Sequence, residues 1–537
     1  MKESEAGFTH FSFLVKVLIM VKKHNETEET SRYRALVIPS LTVFITSFCI
    51  MVLEIVAGRL TARHLGSSLY TWTSVIGVVL AGITLGNYIG GRMADRFQAR
   101  KTLACLFAIS SVTCVVIIIL NNVVGEWTWL WKFNWPMRVF IHVLLVFLLP
   151  STLLGTISPV VAKMALDRGL PTGRTVGSIY AWGAAGSIAG TFAAGYYLIA
   201  AMGTIAIVWI IAAVLVVMAI LYCVRFWPLY IWAVMFCCVL VMGTAPWQWA
   251  KETGAGLALR KEPDKGIIYE DETAYCYVSV EQLSSTPDRR TFMQDKLKHS
   301  EIIMDDVLDL QYFYHDIYAA ITGGLSADKD NLTVLVLGGG GYSFPRYVEK
   351  VWPGSQVDVA EIDPGVTEAA IQAFGLERDT SIRTFTMDAR NYADALLEQE
   401  LKSGLKTRYD FIYGDALNDY SIPYQLTTWE FNDKIAQLLT NDGVYMVNVI
   451  DIFDSGLFLG AIINTLEKTF PYVYVVTRGD LPRAARSTFV VIAAKQILDI
   501  DNLCAQYQRK SQNLWHLSES DMQALREKMG GRVLTDD

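Results

Sequence analysis

Charge is scarce in this chain: Asp, Glu, Lys and Arg make up only 18% of its 537 residues, while 52% are hydrophobic. Average usage is about 25% charged, so part of the sequence must reside in lipid. Lys/Arg blocks are also missing and the net charge is -7, which excludes a nucleic-acid footprint. The eight cysteines form no CxxC pair and no metal-ligand spacing. Six of them (Cys49, Cys105, Cys114, Cys223, Cys237 and Cys238) lie in apolar runs, with only Cys276 and Cys504 in the polar half. A disulfide-stapled scaffold is thereby excluded, and no metal site is expected. Collagen-like and disordered classes fail on composition. No small-residue cleavage site follows Phe8–Met20, whose Lys16, Lys22 and Lys23 suit an interfacial helix rather than a span or a signal.

What is present divides into two halves. Seven apolar stretches, at roughly 36–58, 69–91, 102–121, 138–163, 176–200, 204–223 and 227–245, are each long enough for a ~30 Å hydrocarbon core. We therefore expect an N-terminal arm over 1–35, a multi-pass helical membrane domain over 36–245 and a linker over 246–265. Gly77, Gly82, Gly86 and Gly90, and again Gly183, Gly186, Gly190 and Gly195, form small-residue faces for close helix approach, and they permit a homodimer. Glu54 inside the first stretch is a site candidate, because an intramembrane carboxylate is costly unless paired or wet; the bland alternative is pairing with Arg59. His142 is a weaker candidate of the same kind. Gly91-Arg-Met-Ala-Asp95-Arg96, with Arg100 and Lys101, resembles the loop between the second and third helices of major-facilitator transporters, and equally suits a positive-inside anchor.

Residues 266–330 read as a small antiparallel sheet, from the alternation around Tyr275, Tyr277 and Val278-Ser-Val280 and the runs Arg290-Thr-Phe-Met and Glu301-Ile-Ile-Met. From 331 to 537 strands and helices alternate, predicting a doubly wound parallel sheet with strands at 333–337, 357–362, 382–387, 411–413 and 444–449. The first strand runs into Gly338-Gly339-Gly340-Gly341, where backbone can approach a ligand. The next ends in Glu361-Ile-Asp363, an acid placed to hold ribose hydroxyls; the third in Asp388-Ala389, suited to an adenine amine; the fourth in Gly414-Asp415. Each acid alone could be a helix cap. Together, with no P-loop Lys, they suit a cationic adenosyl sulfonium better than a phosphate cofactor.

These residues carry a resemblance. Tyr275-Cys-Tyr-Val, Met293-Gln-Asp-Lys-Leu-Lys-His-Ser300, Tyr314-His-Asp316, Gly338-Gly-Gly, Glu361-Ile-Asp, Asp388-Ala, Tyr413-Gly-Asp415 and Ser487-Thr-Phe-Val resemble the spermidine synthase (polyamine aminopropyltransferase) family, in its bacterial members fused to a membrane domain. The resemblance implies a small β-sheet feeding a Rossmann-like domain that takes decarboxylated S-adenosylmethionine, passes its aminopropyl group to a polyamine amine and releases 5′-methylthioadenosine. By position it assigns Glu361 to the ribose, Asp388 with Ala389 to the adenine, Tyr314 and His315 to the face of the site, and Asp415 to the attacking amine; Gly338, Gly339, Gly340 and Gly341 line the substrate. His299 stands where the family has Gln.

Two family acids are missing. Gly341 occupies the place of the Asp that pairs with the aminopropyl nitrogen, and Asp415-Ala-Leu-Asn418 replaces Asp-x-x-Asp, with Asp419 one residue out of register. An acid at 341 would repel the carboxylate of intact S-adenosylmethionine, so its loss favours that donor. The sequence thus narrowly favours a lyase in which the donor's carboxylate displaces methylthioadenosine and closes homoserine lactone. Aminopropyl transfer is the alternative, with a methyltransferase or a transporter bearing a ligand-binding domain more distant. No cofactor is expected beyond the adenosyl sulfonium itself. Location in the plasma membrane follows from the apolar stretches; the basic loops and seven crossings put the C-terminal half outside, whereas a cytosolic substrate puts it in the cytoplasm, which we expect.

Overall fold

The structure, a computed structural model, describes residues 36–260, 266–417, 422–479, 483–507 and 513–537. The interfacial helix expected within 1–35 lies outside them. The chain divides into two compact units, Met1–Glu262 and Pro263–Asp537.

The first unit is helical. Among the described residues, α1 (Leu36–Leu65), α2 (Leu69–Arg96), α3 (Ala99–Gly125), α4 (Trp135–Leu166) and α5 (Thr172–Tyr222) are the five helices long and apolar enough to cross a membrane. The seven predicted stretches all fall on helices, yet they do not make seven separate ones. The fifth and sixth share the 51 residues of α5, broken at Gly203, whose φ of 72° lies outside the helical region. An unbroken helix of that length would run roughly 76 Å, more than twice a bilayer core. The seventh is α6 (Pro228–Thr244), which meets α7 (Gln248–Gly256) at 103°, so part of the expected linker is helical. Gly82, Gly86 and Gly90, and Gly183, Gly186 and Gly190, pack inside the unit, whereas Gly77 and Gly195 are exposed. A Cβ at Gly86 would lie 2.2 Å from the Thr152 carbonyl oxygen of α4, and one at Gly186 would lie 2.2 Å from that of Phe44 on α1. Arg100 Nε donates to the Tyr222 carbonyl at the end of α5 (3.0 Å), so one cation of the basic loop caps a helix C-terminus. Glu54 is half-buried on α1 and has no hydrogen-bond or ion-pair partner among the described residues; His142 is buried against Asn121 Oδ1 at 3.1 Å.

The second unit opens with a four-stranded antiparallel meander, β1 (Ile267–Glu272), β2 (Tyr277–Ser285), β3 (Asp288–Gln294) and β4 (Leu297–Ile303), followed by α8 (Phe313–Leu325). Then comes an eight-stranded sheet. Its strands are β5 (Thr333–Leu337), β6 (Gln356–Glu361), β7 (Arg383–Thr386), β8 (Tyr409–Gly414), β9 (Leu439–Ile452), β10 (Tyr472–Arg478), β11 (Arg486–Ala494) and β12 (Leu514–His516), in the order β12-β10-β11-β9-β8-β5-β6-β7. The five strands from β5 to β9 are parallel, as expected, but β10, β11 and β12 join antiparallel. The sheet is therefore mixed. The connection from β10 to β11 is too short for a crossover helix, and a short connection permits only antiparallel pairing.

Helices α9 (Ser343–Val351), α10 (Pro364–Ala373), α11 (Ala389–Ser403), α12 (Trp429–Leu438), α13 (Leu457–Leu466), α14 (Ile500–Gln506) and α15 (Glu519–Lys528) complete the unit. Alternate residues of the central strand feed two cores: Val334 and Val336 pack in one, Leu335 and Leu337 in the other. β5 lies between β6 and β8, where the winding reverses, so the segments leaving β5 and β8 part and open a crevice at their carboxyl ends.

Candidate active site

The glycine run begins where β5 ends. Gly338 takes a φ of 97°, closed to most side chains, while its N–H still bonds the Ala360 carbonyl at 2.9 Å. This turn points the Gly339 N–H at Glu361 Oε2 (2.6 Å), and Asp363 N–H donates to Oε1 (2.8 Å). Glu361 is only 6% exposed; burial pushes its carboxyl up to about 7, although both backbone donors pull it down.

Gly341 has a packing reason that the sequence did not reveal. A Cβ there would come within 2.5 Å of the Phe374 ring and 2.9 Å of Ser300 Cβ. Phe374 is itself buried edge-on against Phe292. In this backbone, a side chain at position 341, acid or not, would require Phe374 or Ser300 to shift. The next residue, Tyr342, sits left-handed at φ 57° and starts α9; its buried ring sends a hydroxyl to Thr367 (2.8 Å) and Thr384 (3.1 Å).

Across the crevice, the Asp415 N–H is fixed on the Leu337 carbonyl (2.9 Å). Its carboxylate takes the Tyr314 hydroxyl on Oδ2 (2.9 Å) and Asn448 Nδ2 on Oδ1 (2.8 Å), and His315 Nε2 stands 3.9 Å from Oδ2. Tyr314 and His315, adjacent in the first turn of α8, are both buried, with ring centroids 4.2 Å apart. His315 stacks on Phe344 at 5.5 Å. Burial and the negative charge of Asp415 hold the Tyr314 phenol far above its ordinary range, so it remains a donor. Burial also keeps His299 neutral, lowering it to about 4 against the opposing pull of Asp415. One cavity joins His299, Tyr314, His315, Asp415 and Gly338 through Gly341. Its walls offer backbone donors at one side and a carboxylate with a phenol at the other.

Asp388 and Ala389 do not line that cavity. Asp388 caps α11, accepting from the backbone of Arg390 (2.9 Å) and Asn391 (3.2 Å), and Ala389 is buried in the core beneath. Asp363 likewise caps α10 through Gly365 N (2.9 Å), and it takes the Thr273 hydroxyl beside β1 at 2.5 Å. Asn418 and Asp419 lie outside the described residues. The sequence reading missed Asn448 and Phe374. An Asn inside the apolar run Val444–Ile450 was a visible signal for the first; Phe374 had none, because only folding brings it under the glycine loop.

Residues 313–498, just over a third of the chain, match the model of the spermine/spermidine synthase domain. A polyamine aminopropyltransferase from Vibrio vulnificus is 34% identical over 144 residues, covering 27% of this chain and 46% of that protein. A probable polyamine aminopropyl transferase from Bifidobacterium longum is 28% identical over 211 residues, covering 39% and 43%. The matches therefore span less than half the length of those relatives. An eEF1A lysine and N-terminal methyltransferase from Bos taurus is 28% identical over 181 residues, covering 31% of this chain and 25% of that protein. Among solved structures, a probable spermidine synthase from Corynebacterium glutamicum overlaps 51% of this chain and 97% of its own, at 18% identity and a TM-score of 0.44. The chain carries a spermine/spermidine synthase domain over residues 313–498, set in a Rossmann-like α/β unit that a small antiparallel sheet precedes.

Proposed function

We propose that this chain is a membrane-anchored enzyme that cleaves the Cγ–S bond of an adenosyl sulfonium and transfers the aminopropyl group to an amine, releasing 5′-methylthioadenosine. The observation that carries this reading is the Asp415 carboxylate, held by Tyr314 and Asn448 at the mouth of β8 and facing the glycine loop. In this reading Asp415 holds the attacking amine and accepts its proton, because a carboxylate stripped of bulk water binds an ammonium tightly. Tyr314 and His315 form the apolar, electron-rich wall beside the sulfonium. Glu361 takes the ribose hydroxyls, Asp388 and Ala389 the nucleobase, and the amides of Gly338, Gly339, Gly340 and Gly341 pass close to the nucleoside. The family model and the two aminopropyltransferase relatives support transfer over the lyase favoured by the sequence, and the packing of Gly341 against Phe374 weakens the argument from a lost acid.

The lyase stays as a second reading on one observation: no carboxylate stands at position 341 to reject the carboxylate of intact S-adenosylmethionine. Mass spectrometry of the detergent-purified protein separates the two. Decarboxylated S-adenosylmethionine with putrescine should give spermidine and methylthioadenosine. Homoserine lactone from S-adenosylmethionine alone would overturn transfer in favour of the lyase. Residues 36–245 would hold the enzyme in the plasma membrane with its catalytic unit on the cytoplasmic side, where the sulfonium is made; fluorescence of a C-terminal green fluorescent protein fusion tests that side.

A further inference from the structure

Asp388 Oδ1 receives two amides of the first turn of α11, those of Arg390 and Asn391, which leaves Oδ2 as the oxygen for a ligand. Its protein neighbour is Gln425 Nε2, at a long 3.4 Å, so a lone pair remains for a second donor. Gln425 belongs to a single turn, Tyr424–Leu426, and its backbone carbonyl is gripped by Arg390 Nη1 at 2.9 Å. The same nitrogen reaches Thr428 Oγ1 (3.2 Å), and the guanidinium engages Asp536 through both of its terminal nitrogens. Asp536 is anchored in turn. Its N–H bonds Glu430 Oε2 (3.1 Å), the Leu534 carbonyl accepts from Trp429 N (2.8 Å), and Leu534 N donates to Thr465 Oγ1 (3.0 Å).

One arginine thus joins three distant stretches of chain: the start of α11, the turn before α12 and the strap around Asp536. The helix start does not require it, since Asp388 already satisfies the α11 amides. The grip instead fixes where the Gln425 side chain lies against Asp388 Oδ2. We infer that Arg390, held by Asp536, is a positioning residue that sets Asp388 Oδ2 to receive the exocyclic amine of the substrate's adenine. This rests on the reading of Asp388 as the nucleobase contact and extends it to residues up to 148 positions away.

The test measures dissociation constants of the full-length protein for 5′-methylthioadenosine and for its 6-oxo counterpart, 5′-methylthioinosine, by calorimetry. The wild type should prefer the 6-amino ligand by about tenfold or more, the worth of one buried hydrogen bond to a charged acceptor. Arg390→Met should bring that ratio near unity, and Arg390→Lys should fall between, since an ammonium cannot make the paired contact. Glu361→Gln should weaken both ligands and keep the ratio. An unchanged ratio in Arg390→Met, with both ligands weakened alike, would mean a general structural role and overturn the inference. No preference in the wild type would overturn the nucleobase reading of Asp388, and the inference with it. Should Arg390→Met fail to fold, Asp536→Asn removes only the anchor and must still lower the ratio.

Discussion

Asp415 and Asp388 are the same residue type at the same edge of one sheet, yet their surroundings have nothing in common. Asp388 is followed at once by α11 and spends one oxygen on that helix's free amides; Asp363, one residue before α10, does likewise. No helix begins directly after Asp415, and its carboxylate is held by side chains, Tyr314 and Asn448, with 19% of it still exposed. A strand-end acid spends one oxygen on backbone when a helix starts beside it, and keeps both for side chains and ligand when none does.

That contrast can be broken experimentally. Asp415→Asn should cost the most, about 10²–10⁴ in kcat, the range for a group that moves a proton, with little change in Tm; near-normal turnover in a product assay would remove Asp415 from the reaction. Glu361→Gln should follow, weakening methylthioadenosine by about tenfold or more through a lost charge-assisted hydrogen bond.

The same carboxyl gives a pH signature. Ribose hydroxyls favour the ionised form, so in the wild type ligand uptake should release a proton below about pH 7, and affinity should climb as pH rises towards 7 and then level off. A raised carboxyl pKa means that the ligand-free folded state holds more protons than the unfolded chain between the ordinary 4.5 and about 7. Stability should therefore fall across that window, by about 3 kcal/mol in total from this group. Calorimetry in buffers of different ionisation enthalpy should find the proton release in the wild type and none in Glu361→Gln.

Smaller effects test packing. Gly341→Ala should destabilise by about 1–3 kcal/mol through overpacking against Phe374, and Phe374→Leu should relieve part of that in the double variant; additive losses in chemical denaturation would show that the two do not meet. Asp388→Ala should cost about 1 kcal/mol as a lost cap and Asp388→Ser much less; equal stability of Ala and Ser variants would remove the capping role.

Much of this architecture was legible without coordinates. Hydropathy found the five long membrane-type helices among the described residues of the first unit, because lipid demands long apolar runs, and the glycine run with Glu361, Asp388 and Asp415 marked the rim of the sheet. Short-range patterns failed where long-range pairing decides. The strand pattern stops at the fifth expected strand and leaves β10 and β11 unread, and seven hydropathy maxima did not reveal that two share α5 across Gly203 while another ends in the sharp bend into α7.

Composition and spacing alone determined the two-part organisation and the strand-end acids, since these depend on residue type and local periodicity. Tertiary structure decided which acids cap helices and that Asp415 faces the cavity, what a side chain at position 341 would meet, and that Asn448 holds the Asp415 carboxylate. Those answers depend on which side chains meet, and the meetings are made by a sheet that pairs strands far apart along the chain, a distance that no local pattern encodes.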